Sequence, residues 1–142
     1  MEVPRIVKAY IDAWNRGDLD AWVATFAPDG MYSDPGTPQA IPARVLKEHM
    51  AEFFDGFPDA TCETVALHPI AEHQWVWRFV QHGTNTGPYR GLPSTGRALV
   101  VPGCEFIEVR GDKVHRVEGY FDRLTILGQL GLVPKPPPPA SN

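Results

Sequence analysis

The hydrophobic period of this chain changes from helical to two near Ala60, and that change limits the folds open to it. Before it, apolar residues recur at helical spacing: Val3, Ile6, Val7, Tyr10, Ile11 and Trp14 form one stripe, with Pro4 suited to the first turn and Gly17 to the stop. Asp18 is placed to cap a short second helix carrying Leu19, Trp22, Val23 and Phe26. A turn at Pro28-Asp29-Gly30 and a short strand from Met31 to Asp34 follow. Pro42 then opens a third helix through Val45, Leu46, His49, Met50, Phe53 and Phe54, closed between Gly56 and Pro58.

From Ala60 the period is two. Strands are predicted over Ala60–Leu67 and Glu72–His82, and over Arg97–Val109 with a bulge or sharp bend at Pro102-Gly103. Arg110-Gly111-Asp112 turns the chain into a last strand, Lys113–Asp122. Leu124, Leu127 and Leu130 mark a terminal helix stopped by Gly131. Helices followed by an antiparallel, strongly bent sheet give an α+β fold, a cone with one open end. One domain is expected over residues 1–132, and an extended or disordered proline-rich tail over 133–142.

Composition narrows function mainly by exclusion. Basic residues are scattered and the net charge is −4, so no nucleic-acid footprint is present. No apolar run approaches the ~20 residues of a membrane span, and the amino terminus lacks the pattern of a signal peptide. Two cysteines, Cys62 and Cys104, make no disulfide framework, so a reduced, cytoplasmic protein is expected. No His, Cys or carboxylate set has metal-ligand spacing, and no metal is expected.

Three stretches carry a family resemblance: Tyr10-Ile-Asp-Ala-Trp-Asn-Arg-Gly-Asp18, the run Gly83–Gly96, and Phe121-Asp-Arg-Leu-Thr-Ile-Leu-Gly-Gln-Leu-Gly131. With the order of elements, they resemble the SnoaL-like polyketide cyclases of the nuclear transport factor 2-like superfamily, over roughly Val3 to Leu132. The resemblance implies a cone-shaped α+β barrel and cofactor-independent acid–base chemistry on an apolar, carbonyl-containing substrate. In the cyclases a proton is removed next to a carbonyl, a ring closes and the oxygen is reprotonated. Asp122 matches their acid/base at the start of the last helix. Relatives commonly carry histidine where this chain has Asn85, which implies different supporting polar residues.

A local resemblance to ketosteroid isomerases competes. Tyr10 and Asp34 match the oxyanion-stabilising tyrosine and the general base, and Glu105 falls near the place of a protonated carboxylic acid. The expected catalytic set is therefore Asp122, Asp34, Tyr10, Glu105 and His82, with Trp14, Tyr32, Phe53 and Tyr120 as substrate-binding residues. His82 borders the glycine-rich run, in reach of a substrate or of Asp122.

Each of these residues also has a plainer role. Asp122 suits a helix cap, Asp34 an Asx turn, Tyr10 a core aromatic and His82 a structural histidine. Glu105 is an ordinary surface carboxylate unless it points inward, where burial would make it an acid. If Trp75, Trp77 and Phe79 lie on the outer face of the sheet, the patch is too apolar to stay wet, and a homodimer or higher homo-oligomer follows. A polyketide cyclase is the leading expectation and a double-bond isomerase the next. An epoxide hydrolase fits less well, because Arg78-Phe-Val80 lacks the second carboxylate of an Arg-x-Asp pair. A binding domain without chemistry is the alternative from another class.

Overall fold

The computed structural model describes residues 2–134 and 137–140. Helix α1 (Arg5–Asn15) and helix α2 (Leu19–Ala24) are joined as their caps dictate. Gly17 adopts φ +68°, the left-handed conformation that ends a helix at least cost, and Asp18 Oδ1 accepts the Ala21 N–H at 3.0 Å. Strand β1 (Phe26–Ser33) starts five residues earlier than the sequence predicts. The Pro28-Asp29-Gly30 turn is instead an irregularity within β1, whose pairing slips between Phe26 and Met31. Strand β2 (Ile41–Pro42) and a 3-10 turn (Ala43–Val45) lead into α3 (Leu46–Gly56).

Four long strands complete the sheet: β3 (Thr61–Ala71), β4 (Gln74–Thr84), β5 (Ala98–Arg110) and β6 (Lys113–Phe121). Helix α4 (Arg123–Gln129) follows. The sheet order is β2-β1-β6-β5-β4-β3, antiparallel throughout except for the β1–β6 pair. The helices pack against this curled six-stranded sheet, the α+β architecture expected.

Two details of the sheet differ from the expectation. The β4–β5 register runs unbroken through Pro102 and Gly103. Pro102 is tolerated there because β6 pairs with β5 only from Gly103 onward. Val100, two residues away and so on the same hydrogen-bonding edge, has its N–H and C=O bonded by the Gln129 carboxamide at 2.8 Å each. The irregularity of β5 lies instead in its pairing with β6, where Glu108 pairs with Arg116 and Val109 with Val114. The skipped His115 breaks strict alternation, so Val114 and Val117 are both fully buried.

Trp75, Trp77 and Phe79 face inward and are at most 7% exposed, so the aromatic outer patch expected of them does not exist. The inner face of β4 instead packs against α1, with Tyr10 edge-on to Trp77 at 6.3 Å. The expected tail lies partly outside the described residues, which leave out Lys135, Pro136, Ser141 and Asn142. Among the described residues, no helix is long and apolar enough to cross a membrane.

Asn85 organises the run between β4 and β5. It is 1% exposed, and its Nδ2 donates to Gly56 O (3.1 Å) and Gly87 O (3.0 Å). Its Oδ1 accepts from Thr95 N (2.9 Å) and Thr95 Oγ1 (2.8 Å). Where relatives were expected to differ in site chemistry, Asn85 thus ties a loop to the end of α3. Asn85→Ala is expected to destabilise the fold by about 2–4 kcal/mol in urea unfolding, because buried backbone groups lose their partners.

Candidate active site

The sheet, α1, α3 and α4 enclose a cavity of about 240 Å³. Trp14, Met50, Phe53, Cys62, Trp77 and Phe79 make its apolar wall, and Ile126 and Leu127 of α4 close it. Of the three carboxylates that line the cavity, Asp34 and Glu105 enter this wall, and Glu52 is exposed at the mouth.

Asp34 follows β1 in a turn that holds its side chain rigidly. Oδ1 accepts the Gly36 N–H at 2.6 Å, the Asx-turn bond, and Oδ2 accepts the Tyr32 hydroxyl at 2.8 Å. His49 of α3 brings Nε2 to 3.7 Å from Oδ2. Burial pushes the Asp34 carboxyl up, but His49, Tyr32 and the Gly36 N–H together outweigh it, and the group lies below its ordinary value. Asp34 is therefore a buried carboxylate that stays ionised.

Glu105 is held in the opposite state. It points inward from β5 between Trp77 and Gly119 in the register, and Oε1 accepts the Tyr10 hydroxyl at 2.8 Å. The side chain touches the cavity, yet protein surrounds it, and that surrounding governs its acidity. Burial raises its carboxyl from an ordinary 4.5 to about 7; the Tyr10 bond opposes the rise and the Asp34 charge adds to it. With Oε1 taken by Tyr10, Oε2 is the oxygen left to carry a proton and offer it to a ligand.

Gly119 brings the two groups together. A Cβ built there would lie 3.5 Å from Asp34 Cβ and 3.6 Å from Glu105 Oε2, so its missing side chain leaves room where both carboxylates converge. Those are ordinary contacts and φ is not positive, so Gly119→Ala is expected to fold normally while weakening cavity ligands at least tenfold by calorimetry. Unchanged affinity would show that ligands do not reach the carboxylates.

The other expected site residues divide clearly. Trp14, Tyr32 and Phe53 line the cavity. Tyr10 does not; it is fully buried behind Glu105 and acts on that residue. Asp122 points to solvent and caps α4, accepting Leu124 N and Thr125 Oγ1 at 2.9 Å each. The Thr125 hydroxyl holds its carboxyl below the ordinary value, as a cap requires and a buried acid does not. Tyr120 stands 52% exposed on the outer face, against Phe106. His82 lies beside Glu63, with Nε2 at 3.4 Å, and does not line the cavity. Alternation explains both: Phe121 and Gln81 point in, so Tyr120 and His82 point out.

Sequence reasoning missed His49 as the partner of Asp34, and Arg90 and Arg123 at the cavity mouth. Arg90 had a signal: Tyr89 and Leu92 exchange two backbone hydrogen bonds at 2.9 Å, around Arg90 (φ 49°) and Gly91 (φ 77°). Those angles make a two-residue hairpin turn, which Arg-Gly between Tyr and Leu can mark. Among the described residues, no group of three His, Cys, Asp or Glu side chains is placed to hold a metal.

A curled sheet packed against helices, with an apolar cavity between them, is the nuclear transport factor 2-like, ketosteroid-isomerase-like fold. Within it the chain belongs to the SnoaL-like polyketide cyclase family, whose model matches residues 4–130. A candidate polyketide cyclase from Xanthomonas campestris pv. campestris is 26% identical, covering 88% of this chain and 93% of its own at a TM-score of 0.80. IdmH, a candidate polyketide cyclase from Streptomyces antibioticus, is 23% identical over 89% of this chain and 96% of its own, with a TM-score of 0.77. AclR, a candidate hydroxylase from Streptomyces galilaeus, is 21% identical over 93% and 82%, with a TM-score of 0.81. No curated protein matches the chain.

Proposed function

We propose that the chain is a cofactor-independent acid–base enzyme acting on an apolar, enolisable carbonyl compound, with Asp34 as base and Glu105 as acid. The observation that carries this reading is the pair of carboxylates converging at Gly119 with their acidities driven in opposite directions. Such a pair holds one ionised and one neutral carboxyl just below neutrality, the requirement for taking a proton from carbon while donating to oxygen.

Asp34 removes the proton next to the carbonyl. The electron pair of that C–H bond moves toward the carbonyl oxygen, and Glu105 Oε2 donates a hydrogen bond to the charge that develops there. In a cyclase the enolate carbon then attacks a second carbonyl of the same molecule, and the new alkoxide takes up the proton that Asp34 removed, which leaves Asp34 ionised and Glu105 protonated as at the start. The apolar wall strengthens both interactions by excluding water. Tyr10 is a positioning residue, since its hydroxyl is spent on Glu105 Oε1. That favours the cyclase over an isomerase relying on Tyr10 as a direct donor.

The test is proton exchange. With 2-tetralone, a small apolar enolisable ketone, the protein in D₂O is expected to speed deuterium entry next to the carbonyl above the buffer rate, read by NMR. No acceleration between about pH 5 and pH 7 would sink the acid–base reading.

A further inference from the structure

The mouth of the cavity carries two arginines that form no ion pair among the described residues. Arg123, the first residue of α4, donates from Nη1 to Pro35 O at 3.3 Å. Arg90 reaches the next residue along the same rim: its Nη2 would lie 2.8 Å from a Cβ on Gly36. Both side chains line the cavity, and neither has a carboxylate oxygen within 4.0 Å among the described residues. Two like charges thus lie beside the successive residues Pro35 and Gly36, in a protein whose net charge is −4.

The backbone at Arg90 adds a separate observation. In a two-residue hairpin turn of this kind the first position strongly favours Asn, Asp or Gly, because φ is positive. Arginine occupies it here at φ 49°, and its guanidinium packs over the Tyr89 ring at 5.6 Å, at the cavity mouth. The turn is fixed from below, since Tyr89 packs on Phe57 at 5.5 Å and Gly87 N–H donates to Gly56 O at 3.3 Å. A strained residue on a fixed turn, with its charge delivered to a cavity rim, is a pattern found at ligand clamps.

Acidic groups also face this rim. Glu52 lines the mouth, and Asp34 lies beyond Gly36. Asp34 is already engaged through both oxygens, by Gly36 N–H and the Tyr32 hydroxyl, and it forms no ion pair with Arg90. The arginines therefore remain free to bind a planar, two-oxygen anion, the geometry guanidinium groups match best.

We propose that the substrate carries a carboxylate, gripped by Arg90 and Arg123 at the mouth while its apolar carbonyl portion fills the cavity. The inference rests on the acid–base reading for the carbonyl portion and adds the carboxylate. It makes the ligand class an amphipathic keto acid, with the acid end held at the rim.

The probes are 2-anthracenecarboxylate and its methyl ester, which differ in charge at one end of a flat apolar body. Fluorescence titration at about pH 6 would compare the wild-type protein with the R90Q/R123Q double variant. The carboxylate is expected to bind about tenfold more weakly to the variant, with the ester unchanged. Added salt is expected to weaken the carboxylate in the wild type and to leave the ester untouched. Carboxylate affinity that survives both the substitutions and added salt, with the ester bound normally, would overturn the proposal alone. Failure of both probes to bind the wild type would remove the apolar cavity reading, and the proposal with it. Should the variant lose the ester as well, the wild-type salt series decides: equal salt response of the two probes overturns the grip, and a response confined to the carboxylate supports it.

Discussion

Asp34→Asn is expected to lower the rate of deuterium entry into 2-tetralone by about 10²–10⁴-fold, the contribution of a positioned general base. Asparagine keeps the shape: its Oδ1 can still accept the Gly36 N–H, and its Nδ2 can donate to the Tyr32 hydroxyl oxygen in place of the bond that Oδ2 accepted, so the turn that presents residue 34 should persist. What it loses is the basic oxygen. Asp122→Asn is the paired control. Its carboxylate caps α4 toward solvent, and asparagine caps a helix about as well, so exchange should stay within about twofold of wild type. The reverse ranking, with Asp122→Asn inactive and Asp34→Asn active, would return the catalytic role to the family's helix-start aspartate. It would also require α4 to rotate its first turn into the cavity.

The sequence carried the fold because its signals are periodic and local. Gly17, Asp18 and Gly131 punctuate helices as their chemistry demands, and the change of period near Ala60 marks where the four long strands begin. It failed where pairing overrides alternation. One skipped residue at His115 reverses the faces of β6 on either side of it, and β1 absorbs a Pro-Asp-Gly turn as an irregularity. The site was legible in part for the same reason. Glu105 and Asp34 were visible as candidates, since burial of a strand carboxylate and an Asp-Pro turn are local facts. Their convergence at Gly119 was not, because it depends on β5, β6 and the end of β1 meeting in one place. Asp122 shows the opposite failure. A match of residue and position carried a role to a side chain that two capping hydrogen bonds, from Leu124 N–H and the Thr125 hydroxyl, turn toward solvent.

Glu105→Gln is expected to change the pH response of both stability and activity. The folded protein holds the Glu105 carboxyl at about 7, against an ordinary 4.5. The folded state therefore binds this proton more tightly than the unfolded chain. Its stabilising contribution is fully present below about pH 4.5 and is lost as pH rises to 7, a loss of ~3 kcal/mol. Glutamine has no proton to lose, and its carbonyl can still accept from Tyr10. The variant should thus gain on the wild type by up to ~3 kcal/mol between pH 5 and pH 8 in urea unfolding. Asp34 works in the other direction, lowered and so stabilising until pH falls through its folded value, which places the comparison above pH 5. Activity should follow the same proton. Wild-type exchange should fall above about pH 7 as the acid ionises, while Glu105→Gln should be slower at pH 6 and lack that limb. Tyr10→Phe should move the limb to higher pH, because the Tyr10 bond favours the ionised form. A limb that survives in Glu105→Gln would assign the titrating acid to another group and leave Glu105 a structural carboxylate.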